Sequence, residues 1–214
     1  MMKIFCVLMS LVALNLAPPA HANGDIAAGK SKTTICAACH GADGNGIEML
    51  PMQPRLAGQH AEYAAKQLQE FKSKKRVNAT MFSMVMGLSD EDIINISAYY
   101  ASLKGTVGTT AFKHSKLGQK LYRAGNASTG LAACMACHGP AGRGNPAAKY
   151  PSLTGQFAEY TALQLKAFKS ENRDNDVNSV MRNIAAKMTI AEIEAVDTLI
   201  INGVECEPYI TCDD

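Results

Sequence analysis

Apolar positions along the chain recur with helical spacing. Ala64, Leu68 and Phe71 fall on one face of a helix, and Leu165 and Phe168 repeat that face further on. Ile93, Ile96 and Tyr100 follow i, i+3, i+7, as do Ile193, Val196 and Ile200. Ser89 and Thr189 stand where the N-caps of these last two helices belong. Asp92 and Glu192 lie three residues later, and Thr189–Glu192 has the capping-box pattern. No alternating strand pattern of useful length appears, so the expected class is all-α.

The first 22 residues follow a different pattern. Lys3 precedes an almost unbroken apolar run from Ile4 to Leu16, and Ala20-His21-Ala22 is a small-x-small site. This is the layout of a secretory signal peptide over 1–22, cut after Ala22. The run is shorter than the roughly 18 apolar residues of a membrane span. Cys6 lies inside the run and not at its end, which makes it a poor lipid-attachment site. The mature chain is therefore expected in the periplasm, an oxidising compartment.

The helical pattern is also duplicated. Pro54-Arg55-Leu56-Ala57-Gly58-Gln59 aligns with Pro151-Ser152-Leu153-Thr154-Gly155-Gln156, and the match runs on to Arg76 and Arg173. From Pro54 to Arg76, 14 of 23 positions are identical at an offset of 97. An internal repeat this close implies two copies of one fold. Lys104 to Thr110 is small, polar and flexible in composition, as a linker would be. The expected organisation is a domain over 23–104, a linker over 105–110, a second domain over 111–203 and a tail over 204–214.

Composition narrows the function classes. The formal net charge of +2 falls to +1 with the loss of Lys3, so no basic face for nucleic acid is implied. The last ten residues hold Glu205, Glu207, Asp213 and Asp214 and no cation. That is a solvated acidic tail first and a docking feature second. Trp is absent and aromatic residues are only 6 %. Domains this small with so little bulk have thin cores and need apolar mass from elsewhere.

Two pentapeptides supply a source. Cys36-Ala37-Ala38-Cys39-His40 and Cys134-Met135-Ala136-Cys137-His138 are both Cys-x-x-Cys-His. This is the attachment signature of a c-type haem: two thiols bind the porphyrin's vinyl groups and the histidine ligates iron. A zinc site would place its cysteine pairs about 15–20 residues apart, whereas Cys39 and Cys134 are 95 positions apart. A thioredoxin-like dithiol expects a βαβ context and gives no reason for the histidine.

The sixth position on each iron needs a ligand. His21 leaves with the signal segment, His60 aligns with Phe157, and His114 has no counterpart. A methionine opposite histidine favours electron transfer and raises the potential. Met81, Met84 and Met86 lie 8, 5 and 3 residues before Ser89, while Met181 and Met188 lie 8 and 1 before Thr189. Only Met81 and Met181 match, and Val-Asn precedes both at the same distance. Adaptable core filling is the alternative for any methionine, and is the better account of Met84, Met86 and Met188. Met49 and Met52 lack partners in the second copy. Pro54 follows His40 by 14 residues and Pro151 follows His138 by 13. A carbonyl there accepting the histidine's ring N–H and a plain turn proline fit the spacing equally well.

Taken together, these motifs resemble the dihaem cytochromes c4 of the class I cytochrome c superfamily. The shared features are the two Cys-x-x-Cys-His motifs, the Pro-x-Leu-x-Gly-Gln segments, the Gln-Leu-x-x-Phe-Lys helices and the stretch from Met81 to Asp90. The resemblance spans roughly Gly24 to Ile201. It implies two tandem class I cytochrome c domains packed about a pseudo-twofold axis, their haem propionates facing. It also places the axial methionines on Met81 and Met181, and the proline that buttresses the proximal histidine on Pro54 and Pro151. Met188 departs from the family's usual Leu. The segment from Val204 to Asp214, with Cys206 and Cys212, extends past the family's usual end. Two cysteines six apart in an oxidising compartment most simply form a disulfide, at the low end of about 2–4 kcal/mol for so short a loop. A thiol or metal site, or a link to a partner, is the alternative.

The expected function is electron transfer with two covalently bound haem c groups and no enzymatic activity. The resemblance suggests delivery from a quinol-oxidising complex toward a terminal oxidase. Peripheral association with a membrane is compatible with that role. The rivals are a dihaem redox enzyme, acting on peroxide or a sulfur compound, and a haem-based ligand-binding module. Both need an iron with an open or labile position.

Overall fold

The computed structural model describes residues 24–106 and 116–201, with side chains up to 197. The signal segment and its cleavage site, His114, residues 107–110 of the linker, the side chain of Ile200 and the tail with Cys206 and Cys212 lie outside the described residues.

Among the described residues each half has five α-helices, and the second also a 3-10 turn over Val177–Ser179. The first half has α1 (Ile26–Lys32), α2 (Thr34–His40), α3 (Ala61–Lys72), α4 (Ala79–Val85) and α5 (Asp90–Ser102). The second has α6 (Lys116–Ala124), α7 (Met135–His138), α8 (Ala158–Lys169), α9 (Val180–Ala186) and α10 (Ile190–Ile201). Among the described residues there is no strand, only two isolated bridges, Asn126–Leu131 and Asn145–Tyr150. The all-α class read from the periodicity holds.

In each half the first helix crosses the last. α1 packs on α5 and α6 packs on α10. At the crossings stand Gly29 and Gly118. A β-carbon on Gly29 would strike the Asn95 carbonyl, and one on Gly118 the Ala195 carbonyl. The absence of a side chain is what lets the backbones approach. The Asn95 side chain adds a tie by accepting the Asp25 N–H at 2.7 Å, while Asp25 caps α1 through the N–H groups of Ala27 and Ala28.

The apolar faces seen in the pattern turn inward. Phe71, Ile93, Ile96, Phe168, Ile193 and Val196 are all buried. The second half gathers Leu121, Leu131, Ala162, Leu165, Met188, Ile193 and Val196 into one cluster. The first half has a smaller one of Ile96, Tyr99 and Tyr100. Both expected caps form. Ser89 and Asp92 exchange bonds of 3.0 Å each way, a full capping box. Glu192 accepts the Thr189 N–H at 2.8 Å and donates its own N–H to the Thr189 hydroxyl at 3.2 Å.

The repeat breaks once. The offset between copies grows from 97 at Arg76/Arg173 to 100 at Val77/Val177, an insertion of Asp174-Asn175-Asp176. Asn78 caps α4 by accepting the Met81 N–H at 2.9 Å. In the second half Asp176 takes over, accepting the Arg182 N–H at 3.0 Å and its Nε at 2.8 Å. The backbone between passes through the left-handed region at Asn178 and Ser179, with φ of 54° and 56°, a conformation residues with a side chain seldom adopt.

The halves meet through a polar network in which partners cross. Arg76 donates to Gln67 of its own half at 2.8 Å, and to Tyr160 and Gln164 of the other at 3.0 and 2.8 Å. Arg173 donates to Gln164 at 2.8 Å, and across to Tyr63 and Gln67 at 3.1 and 3.2 Å. Each guanidinium also stacks on a phenylalanine of its own half, Arg76 on Phe71 and Arg173 on Phe168. The inserted Asn175, which has no counterpart in the first copy, accepts from Arg173 Nε at 2.9 Å and donates across to Gln67 and Glu70 at 2.9 and 2.6 Å.

Replacing Gly118 with Ala should cost about 1–3 kcal/mol by overpacking the α6–α10 crossing, and Ser89→Ala about 1 kcal/mol by removing the cap. Denaturant midpoints of the haem-loaded protein check both, and unchanged midpoints would contradict the packing described. The carboxylates of Asp92 and Glu192 are held below their ordinary values, chiefly by the N–H groups of Ser89 and Thr189. A depressed carboxylate stabilises the fold at neutral pH and loses that contribution as pH falls through its folded value. Asp92→Asn with Glu192→Gln should therefore make stability fall less steeply in the acid range. An acid-unfolding profile as steep as the native one would show that the caps do not act this way.

Candidate haem sites

Each Cys-x-x-Cys-His motif lies on a short helix. Cys36 and Cys39 are one turn apart on α2, and His40 is its last residue. Cys134 caps α7, and His138 ends it. Spacing of i, i+3 puts both thiols on one helix face. In each pair the first cysteine is half-buried and the second exposed. Burial pushes the Cys36 thiol up despite a hydrogen bond with Tyr100, and raises that of Cys134 to about 11.

The histidines are buried and oriented alike. His40 Nδ1 lies 2.7 Å from the Pro54 carbonyl oxygen, and His138 Nδ1 lies 3.0 Å from that of Pro151. A carbonyl can only accept, so Nδ1 carries the proton and Nε2 is left with a bare lone pair. Burial lowers both imidazole pKa values, with the proline carbonyls pulling the other way. The ring is thus neutral at neutral pH, the form that binds a metal. Of the two readings of Pro54 and Pro151, the carbonyl acceptor is the one seen.

The methionines separate clearly. Met81 lies on α4, which packs on α3, and Met181 on α9, which packs on α8. Both are half-buried. Met181 packs against the main cluster beside Leu153, and Leu153 also packs with Cys134 near Tyr122. Met188 is core filler, only 2 % exposed. The filler reading fails for Met84 and Met86, which are 38 % and 61 % exposed. α4 turns Val85 inward, and its neighbours are carried outward. Met49 and Met52 are also exposed. His60 has its Nε2 2.7 Å from the Arg143 carbonyl of the other half.

The surroundings suit a porphyrin. Leu56, Leu68, Leu88 and Leu103 are only partly buried where they pack with Cys36 around the small first-half cluster. A planar apolar group joined to that thiol would complete their burial. Arg55 Nε is buried without a hydrogen-bond partner, although its other nitrogens bond Glu48 and the carbonyls of Thr106 and Gly155. A carboxylate of the kind a haem carries would satisfy it. No three His, Cys, Asp or Glu side chains converge as a metal cluster among the described residues.

Sequence reasoning passed over Arg55, Gln59, Gln156 and Phe157. Arg55 stacks on Phe157 across the interface at 4.3 Å, and the two glutamines bond the opposite half. The only signal was the pairing of Gly-Gln in both copies. It could not say which surface those residues serve.

The family of cytochrome c matches residues 26–104 and 115–200, one match to each half. The chain is 43 % identical over 205 residues to cytochrome c4 of Stutzerimonas stutzeri, covering 91 % of this chain and 97 % of that protein. It is 38 % identical to a thiosulfate dehydrogenase electron acceptor of the same species, over 75 % of each chain. The crystal structure of reduced recombinant cytochrome c4 from Pseudomonas stutzeri superposes with a TM-score of 0.80 at 42 % identity, covering 84 % of this chain and 98 % of the other. The chain belongs to the cytochrome c family as a two-domain electron-transfer protein of the cytochrome c4 group, with two covalently bound haem c groups.

Proposed function

We propose that this protein is a periplasmic electron carrier whose two irons are closed to substrate. Cys36 and Cys39 hold one haem by thioether bonds and Cys134 and Cys137 the other. His40 and Met81 are the axial pair of the first, His138 and Met181 of the second. When bound, each haem supplies a one-electron couple at its iron. The observation that carries the reading is the pair of buried histidines, each with Nδ1 given to a proline carbonyl and Nε2 left free. This bond fixes ring orientation and raises ligand basicity. The methionine of each half, chosen by the repeat, fills the remaining position. The domain limits 23–104 and 111–203, with a linker over 105–110, belong to the same reading, as does removal of residues 1–22.

The partners follow from the role. A quinol-oxidising complex is the proposed donor and a terminal oxidase the acceptor, with brief and partly electrostatic docking. The relative that accepts electrons from a thiosulfate dehydrogenase supports a second donor, a sulfur-oxidising dehydrogenase. In either case the chain carries electrons and does not itself act on substrate. Among the described residues no helix is long and apolar enough to cross a membrane.

Oxidised protein should show the far-red thioether-to-iron band of a histidine–methionine haem. Met81→Ala and Met181→Ala should each remove about half of it, one iron of two. The native reduced protein should not bind carbon monoxide, and each variant should bind it at one haem. A band that survives either change, or carbon monoxide uptake by the native protein, would refute the assignment.

A further inference from the structure

Two peptide groups at the domain interface are hydrogen-bonded at both ends. The Pro54 carbonyl and the Arg55 N–H belong to one peptide plane. The carbonyl accepts from His40 Nδ1 at 2.7 Å, and the N–H donates to Gln156 Oε1 of the other half at 2.9 Å. The second copy mirrors this. The Pro151 carbonyl accepts from His138 Nδ1 at 3.0 Å, and the Ser152 N–H donates to Gln59 Oε1 at 3.0 Å.

Both glutamines are held in place. Gln156 Nε2 donates back to the Arg55 carbonyl at 3.0 Å, and Gln59 Nε2 to the Ser152 carbonyl at 3.0 Å. Each Oε1 also accepts the next backbone N–H, from Phe157 and from His60, at 3.0 Å. The amide thus pairs with the opposite strand of chain much as a backbone peptide would. Its orientation is set by three bonds and not by packing alone.

A peptide whose N–H is engaged by an acceptor places more negative charge on its carbonyl oxygen. Hydrogen bonds in such a chain polarise one another, by perhaps 10–30 % per bond. The carbonyl then accepts the imidazole N–H more strongly, and the imidazole becomes a better electron donor through Nε2. A better donor favours the oxidised iron.

We propose that Gln156 is a positioning residue for His40 and Gln59 for His138, so that each domain lowers the reduction potential of the haem in the other. This rests on the ligand reading above. The domain interface is then part of each haem's ligand environment, and separating the domains would raise both potentials.

The test uses the full haem-loaded chain. Potentials are read by spectroelectrochemical titration, and the ring Nδ1–H resonances of His40 and His138 by paramagnetic NMR, which also assigns each haem to its domain. Gln156→Leu should raise the potential of the N-terminal haem and move the His40 resonance upfield, leaving His138 in place. Gln59→Leu should do the converse. The expected size is about threefold in the reduction equilibrium, tenfold being about 59 mV for one electron. Gln156→Glu keeps an acceptor for the Arg55 N–H and should leave the His40 resonance at its native position or further downfield. This holds the test open even where the leucine variant does not fold. Equal shifts at both haems, a shift confined to the glutamine's own domain, no shift, or an upfield move in the glutamate variant would each overturn the relay. Absence of ligand-type imidazole resonances in the native protein would overturn the ligand reading instead.

Discussion

A buried imidazole with one ring proton must choose which nitrogen to protonate, and its neighbours make the choice. In both halves of this protein a proline carbonyl faces Nδ1. The proton is held there, and Nε2 is available to a metal. Much of the structure follows from delivering that carbonyl. The helix bearing the two thiols ends on the histidine. A loop then returns the chain so that the proline reaches back, and the next helix starts a few residues later. Moving the proline segment would let the ring rotate or protonate, and the site would lose its ligand.

The same segment forms the domain interface, so the two requirements cannot be met separately. Beyond it, the halves bury Arg76 and Arg173, which are 8 % exposed each. A buried cation is costly unless its donors are all engaged. Here each guanidinium donates to glutamine and tyrosine oxygens from both halves, Arg173 to Asn175 as well, and lays its face on a phenylalanine. Burial opposes ionisation of Tyr63, yet Arg173 and Arg76 outweigh it and hold the hydroxyl below its ordinary value. Among the described residues only the first half supplies this network with a carboxylate, Glu70, with Lys66 at 2.7 Å and the inserted Asn175 against it. The equivalence of the two copies read from the repeat is therefore broken at the interface, through a three-residue insertion in the second copy.

How much was legible in the chain divides along physical lines. Local rules were readable: helical period, caps at Ser89 and Thr189, and the cofactor motif, because each depends on residues close in sequence. The repeat made longer-range features readable too, since two copies select what they share. Gly29 and Gly118 were not readable. A glycine within a helix registers as weakness until the crossing helix is seen. Met84 and Met86 were assigned to the core on residue type, but the rotation of a seven-residue helix turned them to the surface. The crossed bonds of Gln59, Gln156, Arg76 and Arg173 were hidden because their partners lie about a hundred residues away. Polar residues in an interface look the same in sequence as polar residues in water.

The central claim is that both irons are closed, each by histidine on one side and methionine on the other. X-ray absorption at the iron edge of the oxidised, haem-loaded protein tests it without altering a residue. The account predicts one sulfur neighbour for every iron, the rest of each first shell being nitrogen. A sulfur count well below one per iron, or oxygen in its place, would contradict it.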